Sequence, residues 1–284
     1  MNWRKSSLKK LTSFKIGGKV DRFVVPGDEA ELRKALVYAR RRKCRVSVIG
    51  AGSNILAGES GFKGVLIRLS AADFSGIRIK GSLVECGSGL TLSRFLSEAK
   101  GHGLTGVEFL AGIPGTIGGA LVMNAGAWGE SIGGLTSYVR VMDYAGRVSV
   151  ISRKNAGFSY RNSGLGKYII LGAGFKLKKS RKKAVASKIK KYLENRAKSQ
   201  DNSLPNAGCV FKNPPLCSAG LLIDACGLKG LRSKGAVVSR KHANFILNAG
   251  GAKSADVLKL ISVIRKAVKR KFGVELEPEL KIWK

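Results

Sequence analysis

Two adjoining runs, Leu110-Ala-Gly-Ile-Pro-Gly-Thr-Ile-Gly-Gly-Ala120 and Met123-Asn-Ala-Gly-Ala-Trp-Gly129, limit the folds open to this chain more than any other feature. Glycine tolerates backbone conformations that a Cβ forbids, and so many small residues suit a backbone pressed against a large flat ligand. A tightly packed turn is the plainer alternative. A second cluster, Gly50-Ala-Gly-Ser-Asn54, directly follows the β-rich run Arg45 to Ile49. Its exposed N–H groups could wrap a phosphate, although a structural turn would explain it equally well. It lacks the third glycine and the opening helix of a Rossmann fingerprint.

The remaining pattern alternates strands and helices. Asp28 followed by Glu31 resembles a capping box, and Leu32, Ala35, Leu36 and Ala39 mark one face of the helix that follows. Val65 to Leu69 predicts a strand, and Thr91 predicts the cap of a helix carrying Leu92, Phe95, Leu96 and Ala99. Val139 to Met142 and Arg147 to Ile151 flank an Asp143-Tyr-Ala-Gly146 turn as a hairpin, and Tyr168 to Leu177 predicts a further strand. The composition turns lysine-rich near Ser180, with Val185, Ile189, Tyr192 and Leu193 at helical spacing, which puts a domain boundary near residue 178. Ser254 is expected to cap a long helix that ends at Gly273, and the tail to Trp283 reads as extended.

The composition excludes several classes. At 284 residues and 44% hydrophobic, the chain is globular, and no stretch has the roughly 18 apolar residues of a membrane span. The polar, basic first ten residues lack a signal core, so a cytoplasmic protein is expected. Five cysteines with no C-x-x-C spacing and two histidines indicate neither a disulfide framework nor a metal site. Lys and Arg number 52 against 18 Asp and Glu, a net charge of +34 that would attract any polyanion. The basic residues alternate with apolar ones at helical spacing, which favours solvated helix faces over a specific nucleic-acid surface.

Seven motifs together resemble the UDP-N-acetylenolpyruvoylglucosamine reductase (MurB) family. They are Thr12-Ser-Phe-Lys-Ile-Gly-Gly18, Ile49-Gly-Ala-Gly-Ser-Asn-Ile-Leu56, the Ala-Gly-Ile-Pro-Gly-Thr run, Ser159-Tyr-Arg-Asn-Ser163, Asn206-Ala-Gly-Cys-Val-Phe-Lys-Asn-Pro214, His242-Ala-Asn-Phe-Ile-Leu-Asn248 and Leu276-Glu-Pro-Glu279. They occur in the family's order and cover nearly the whole chain. The resemblance implies an α+β fold: a two-subdomain FAD-binding domain of the vanillyl-alcohol-oxidase (PCMH) type over 1–178, and a smaller α+β substrate-binding domain over 179–284. It implies that NADPH reduces FAD and that the enolpyruvyl group of UDP-N-acetylenolpyruvoylglucosamine is then reduced to give UDP-N-acetylmuramate. A monomer is expected, with no metal, no specific nucleic-acid partner and no membrane insertion.

Site residues follow from the same resemblance. Gly50, Ala51, Gly52, Ser53, Asn54, Ile55 and Leu56 are expected at the cofactor, as are Gly112, Ile113, Pro114, Gly115, Thr116, Gly118, Gly119, Ala120, Asn124 and Gly126. Reduction of an enol ether beside a carboxylate builds charge on that carboxylate, so a fixed cation is required, and the guanidinium of Arg161 suits the task. Glu279 matches the family's catalytic glutamate, although Glu275, Glu277 and Glu279 would share one side of a strand and spacing cannot separate them. Cys209 stands where the family places its proton donor. Tyr160, Lys212, Asn213 and His242 match substrate-contacting positions. His242 could equally be structural, and Arg196 is either a diphosphate contact or one more exposed helix cation.

The chain departs from the family in two places, since serine is commoner at position 209 and tyrosine at position 128. The short interval from Arg161 to Cys209 implies the class that lacks an extra substrate-covering insertion. Another flavin oxidoreductase of the superfamily would keep the glycine clusters but need not keep Arg161, Cys209 and Glu279. A nucleic-acid binder would instead be colourless and bind with steep salt dependence.

Overall fold

The computed structural model describes residues 2–283. The chain divides into two compact units. The first takes residues 2–4, Arg22–Ala51 and Gly64–Arg196; the second takes Lys5–Asp21, Gly52–Lys63 and residues 197–283.

The first unit has two apolar cores. In one, helix α1 (Glu29–Arg41) buries Leu32, Ala35, Leu36 and Ala39 against Val65 and Ile67, whose strand pairs in parallel with Val46–Val48. Asp28 Oδ1 accepts the Glu31 N–H at 2.7 Å, while the Glu31 carboxylate reaches back to the N–H of Gly27. Both ends of the first turn are thereby satisfied.

The other core fills a five-stranded antiparallel sheet of β1 (Ile77–Lys80), β2 (Leu83–Gly87), β3 (Thr136–Met142), β4 (Val148–Ser152) and β5 (Ile169–Lys176), in the order β4-β3-β5-β2-β1. The predicted hairpin at Asp143–Gly146 joins β3 to β4, and Gly146 takes the left-handed φ of +93° that the turn needs. Along β5, Ile169 and Leu171 face the first core, and Ile170, Ala173 and Phe175 the second. A register shift at Arg140/Val141 leaves Leu171 without a partner across β3, and this bulge is what moves the apolar side to the other face. Helices α2 (Leu92–Gly101) and α3 (Ile117–Val122) cover that face.

Helix α4 (Lys182–Ser199) belongs to the first unit as far as Arg196, so the division falls at 196/197 rather than near 178. The lysine-rich composition describes its solvent side. Its other side packs on the glycine-rich region: Leu193 and Arg196 occupy the space where a side chain at Gly112 would sit, and the Tyr192 ring lies 4.5 Å from that of Trp128.

The second unit packs helices α5 (Ala219–Ala225) and α6 (Ser254–Phe272) around short strands β6 (Arg232–Ser233), β7 (Ala236–Val238) and β8 (Ile246–Asn248). Phe14, Ile16 and Leu56 complete this core from far earlier in the chain. Lys281–Trp283 pairs in parallel with Ile55–Ala57. Gly273 ends α6 with φ +71°, as expected. Ser254 does not cap it: Lys253 precedes the helix, Asp256 accepts the Lys253 N–H, and both the N–H and hydroxyl of Ser254 are taken by Glu59 at 2.6 Å. Burial opposes ionisation of Glu59, but these Ser254 hydrogen bonds outweigh it and hold the carboxyl below its usual range.

Candidate active site

In the first unit the two glycine clusters meet. A Cβ at Gly50 would fall 2.6 Å from Thr116 Oγ1, and that hydroxyl caps α3 by accepting the Gly119 N–H. Ala51, Gly112, Pro114 and Gly119 are exposed, with Gly50, Gly115, Thr116 and Gly118 partly so. The result is an open surface of backbone with almost no side chain, which suits a flat group held by N–H donors. Beside it, the buried Ser88 Oγ has no hydrogen-bond partner among the described residues, and Ser88 supplies the carbonyl that accepts the Gly118 N–H at 2.8 Å. A polar cofactor on this surface fits the residues present.

The spaces beside Gly112 and Gly126 are filled by Arg196 and by Glu130–Ser131 respectively. In the second unit, Gly52 (φ +68°) lets the backbone pass Leu11 and Thr12, and Leu56 lies wholly within the core. Asn124, half a turn beyond α3, spends its amide on the Gly133 N–H and the Ser159 carbonyl. It fixes the loop that follows.

That loop is a two-residue turn closed by reciprocal backbone bonds between Ser159 and Asn162, with Tyr160 and Arg161 at its tip. Ser163 ties it to the Val122 carbonyl at 3.0 Å. Arg161 sits at φ +54°, a conformation costing of order 1–3 kcal/mol in a non-glycine residue. Its Nη1 donates to the Gly126 carbonyl at 2.7 Å, and its guanidinium lies 5.4 Å from the Tyr160 ring. The turn thus presents an exposed Tyr160 beside an Arg161 whose guanidinium is anchored to the Gly126 carbonyl.

In the second unit, two extended segments run antiparallel. Glu279 N–H donates to the Val210 carbonyl at 2.8 Å, and Lys212 N–H to that of Glu277 at 2.9 Å. This register sets Glu279 opposite Val210, the residue that follows Cys209. Asn54 holds the later segment by donating from Nδ2 to the Glu279 carbonyl at 3.2 Å and accepting the Lys281 N–H on its own carbonyl. The three glutamates that spacing could not separate have different surroundings: Glu275 pairs with Lys269, Glu277 with Lys212, and Glu279 is half-buried opposite Val210.

Asn213 accepts the Ala219 N–H at the start of α5, where His242 packs within 3.2 Å of the Cβ position at Gly220. His242 Nδ1 accepts the Asn244 N–H, which leaves Nε2 as the protonated nitrogen of the neutral ring. Burial lowers the His242 pKa; its own backbone opposes the shift, and the Lys229 charge adds to it.

Sequence reasoning missed Asn244 and Ser88. Asn244 is buried and clamps the backbone of Phe211 through both amide atoms, at 2.9 and 2.8 Å, which fixes the Cys209 segment. Its signal was a polar residue in the apolar run Ala243 to Leu247, where it must find partners.

Comparison with known proteins now bears on these two faces. Residues 197–283 match the model of the UDP-N-acetylenolpyruvoylglucosamine reductase C-terminal domain, and residues 20–152 match an FAD binding domain. A UDP-N-acetylenolpyruvoylglucosamine reductase of Caldanaerobacter subterraneus is 42% identical over 97% of this chain and 91% of that protein. The chain belongs to this reductase family. It is thus an FAD-dependent oxidoreductase. A reductase 2 of Symbiobacterium thermophilum is 40% identical over 99% of the chain and 91% of its own length. The MurB crystal structure from Thermus caldophilus matches with a TM-score of 0.88 at 34% identity, covering all of both chains. Cholesterol oxidase from B. sterolicum, with a TM-score of 0.51 at 15% identity over 63% of the chain and 38% of its own, shares the FAD-domain fold of the vanillyl-alcohol-oxidase type.

Proposed function

We propose that the protein reduces the enolpyruvyl group of UDP-N-acetylenolpyruvoylglucosamine with NADPH, giving UDP-N-acetylmuramate for cell-wall precursor synthesis. The carrying observation is the backbone register that sets Glu279 opposite Val210, the residue after Cys209, on paired segments. The backbone surface from Gly50 and Ala51 to Gly119 would hold FAD. The chemistry FAD supplies when bound is acceptance of hydride from the nicotinamide and its delivery to the enol methylene.

The side chains do the rest. Arg161 holds the substrate carboxylate in a bidentate grip and stabilises the charge that develops there as the methylene is reduced. Cys209 gives its thiol proton to the carbon bearing the carboxylate, and the thiolate recovers a proton from solvent. Glu279, fixed by its backbone bond to Val210, manages charge and proton movement beside that thiol. Lys212, Asn213, His242 and Tyr160 bind and orient the substrate.

Anaerobic NADPH is expected to bleach the yellow holoprotein, and UDP-N-acetylenolpyruvoylglucosamine to restore the colour. Absence of bleaching would sink the NADPH assignment. Bleaching without recolouring would sink the substrate assignment.

A further inference from the structure

We propose that Glu277 is a built-in counter-anion for Lys212, occupying its ammonium until the diphosphate of an incoming UDP-ligand displaces it. The proposal rests on reading Lys212 as a substrate contact. Lys212 Nζ lies 2.5 Å from Glu277 Oε1. The pair is built by the backbone: Lys212 N–H donates to the Glu277 carbonyl, and Phe211 bridges Pro278 beside them. Side chains at such opposed positions start about 4.5–5.5 Å apart, so the two charges meet without strain.

Three observations argue against an incidental surface pair. Acidic residues are scarce, 18 against 52 basic ones, so most cations have no carboxylate to meet. The stem of Lys212 is covered, its side chain being 22% exposed, which restricts where the ammonium can go. Glu277 lies two residues before Glu279 on the same segment, so the pair stands at the edge of the proposed catalytic face.

At 69% exposed, the Glu277 carboxylate is well hydrated, and a pair so open to water is exchanged readily. A diphosphate offers the ammonium several oxygens and more charge than one carboxylate. Ligand binding then replaces one ion pair by another, and the affinity measured is lowered by the pair that must be broken.

Calorimetric titration of the FAD-loaded protein with UDP tests this. Glu277→Gln is expected to tighten UDP binding roughly two- to fivefold, the range of an exposed ion pair, with the gain shrinking as salt rises. Glu277→Asp keeps the charge and should stay nearer the parent value. Lys212→Met should weaken UDP binding about tenfold or more, and adding Glu277→Gln to it should change nothing further. Unchanged or weaker binding in Glu277→Gln, with Lys212→Met still impaired, would overturn the counter-anion role. Parent affinity in Lys212→Met would remove Lys212 from the ligand site, and the proposal with it.

Discussion

In the proposed reaction, the side chain at position 209 gives the carbon next to the carboxylate its proton. A thiol, with an ordinary pKa near ~8.5, is a far stronger acid than a serine hydroxyl and is still mostly protonated at neutral pH. Cys209→Ser should keep measurable turnover. Cys209→Ala should bleach normally with NADPH but recolour with substrate about 10²- to 10⁴-fold more slowly, the usual worth of a general acid; recolouring at the parent rate would assign the proton to water or another group. Arg161→Lys separates charge from geometry, because lysine keeps the cation and loses the fork. Stopped-flow traces should show the substrate half-reaction slowed about tenfold or more and the NADPH half-reaction nearly intact, whereas equal slowing would make Arg161 a support of the fold. Ser88 has a buried hydroxyl, unpaired among the described residues, beside the exposed backbone surface. Removing it as Ser88→Ala should leave the apoprotein as stable or more so, while raising the FAD dissociation constant several-fold, by about 1 kcal/mol.

Among the elements, the segment from Cys209 to Lys212 has little regular structure and is held by Asn244. Truncating that residue as Asn244→Ala leaves the buried N–H and C=O of Phe211 without partners, at about 1–3 kcal/mol each. The melting temperature should fall by several degrees, at roughly 2–4 °C per kcal/mol for a chain of this order of size, and turnover should fall more than flavin content. A variant that melts with the parent would show the clamp to be dispensable. Elements with strong local signals were legible in the sequence: α1 with its Asp28 cap, the Asp143–Gly146 hairpin and α6 with Gly273 all stand where periodicity and end residues put them. Signals that depend on distant partners were not. Ser254 reads as a cap, but Glu59, 195 residues away, takes its hydroxyl. At glycines 52, 112 and 126, atoms from Leu11, Arg196 and Glu130 occupy the space a Cβ would take, and no local signal announces those neighbours. The site residues themselves came from motif resemblance, because composition cannot tell an anchored Arg161 from any other surface arginine.

For the whole molecule, a net charge of +34 means that like charges repel throughout the folded state. Raising salt from ~0.01 M to ~0.1 M shortens the screening length from about 30 to about 10 Å, so the melting temperature should rise over that range. A fall would show that ion pairs such as Arg147 with Asp143 outweigh the repulsion. His242 has a lowered folded pKa, so the unfolded chain takes up its proton first; the stability this group contributes is complete above about pH 6.5 and is lost as pH falls below it. Melting curves from pH 7 to 5 should therefore fall more steeply for the parent than for His242→Gln, and parallel curves would remove His242 as the cause. The second unit also has a history set by its connectivity. Asn54 and Glu279, bonded in the folded protein, are separated by 225 residues, and the core between them needs Phe14, Ile16 and Leu56 from the early part of the chain. At translation rates of about 5–20 residues per second, roughly 11 to 45 s pass between synthesis of the first partner and the second. Throughout that interval these apolar residues wait on the ribosome without their core, which makes the nascent chain a client for chaperones that shield such segments. It also means that residues 197–283, expressed by themselves, should be insoluble.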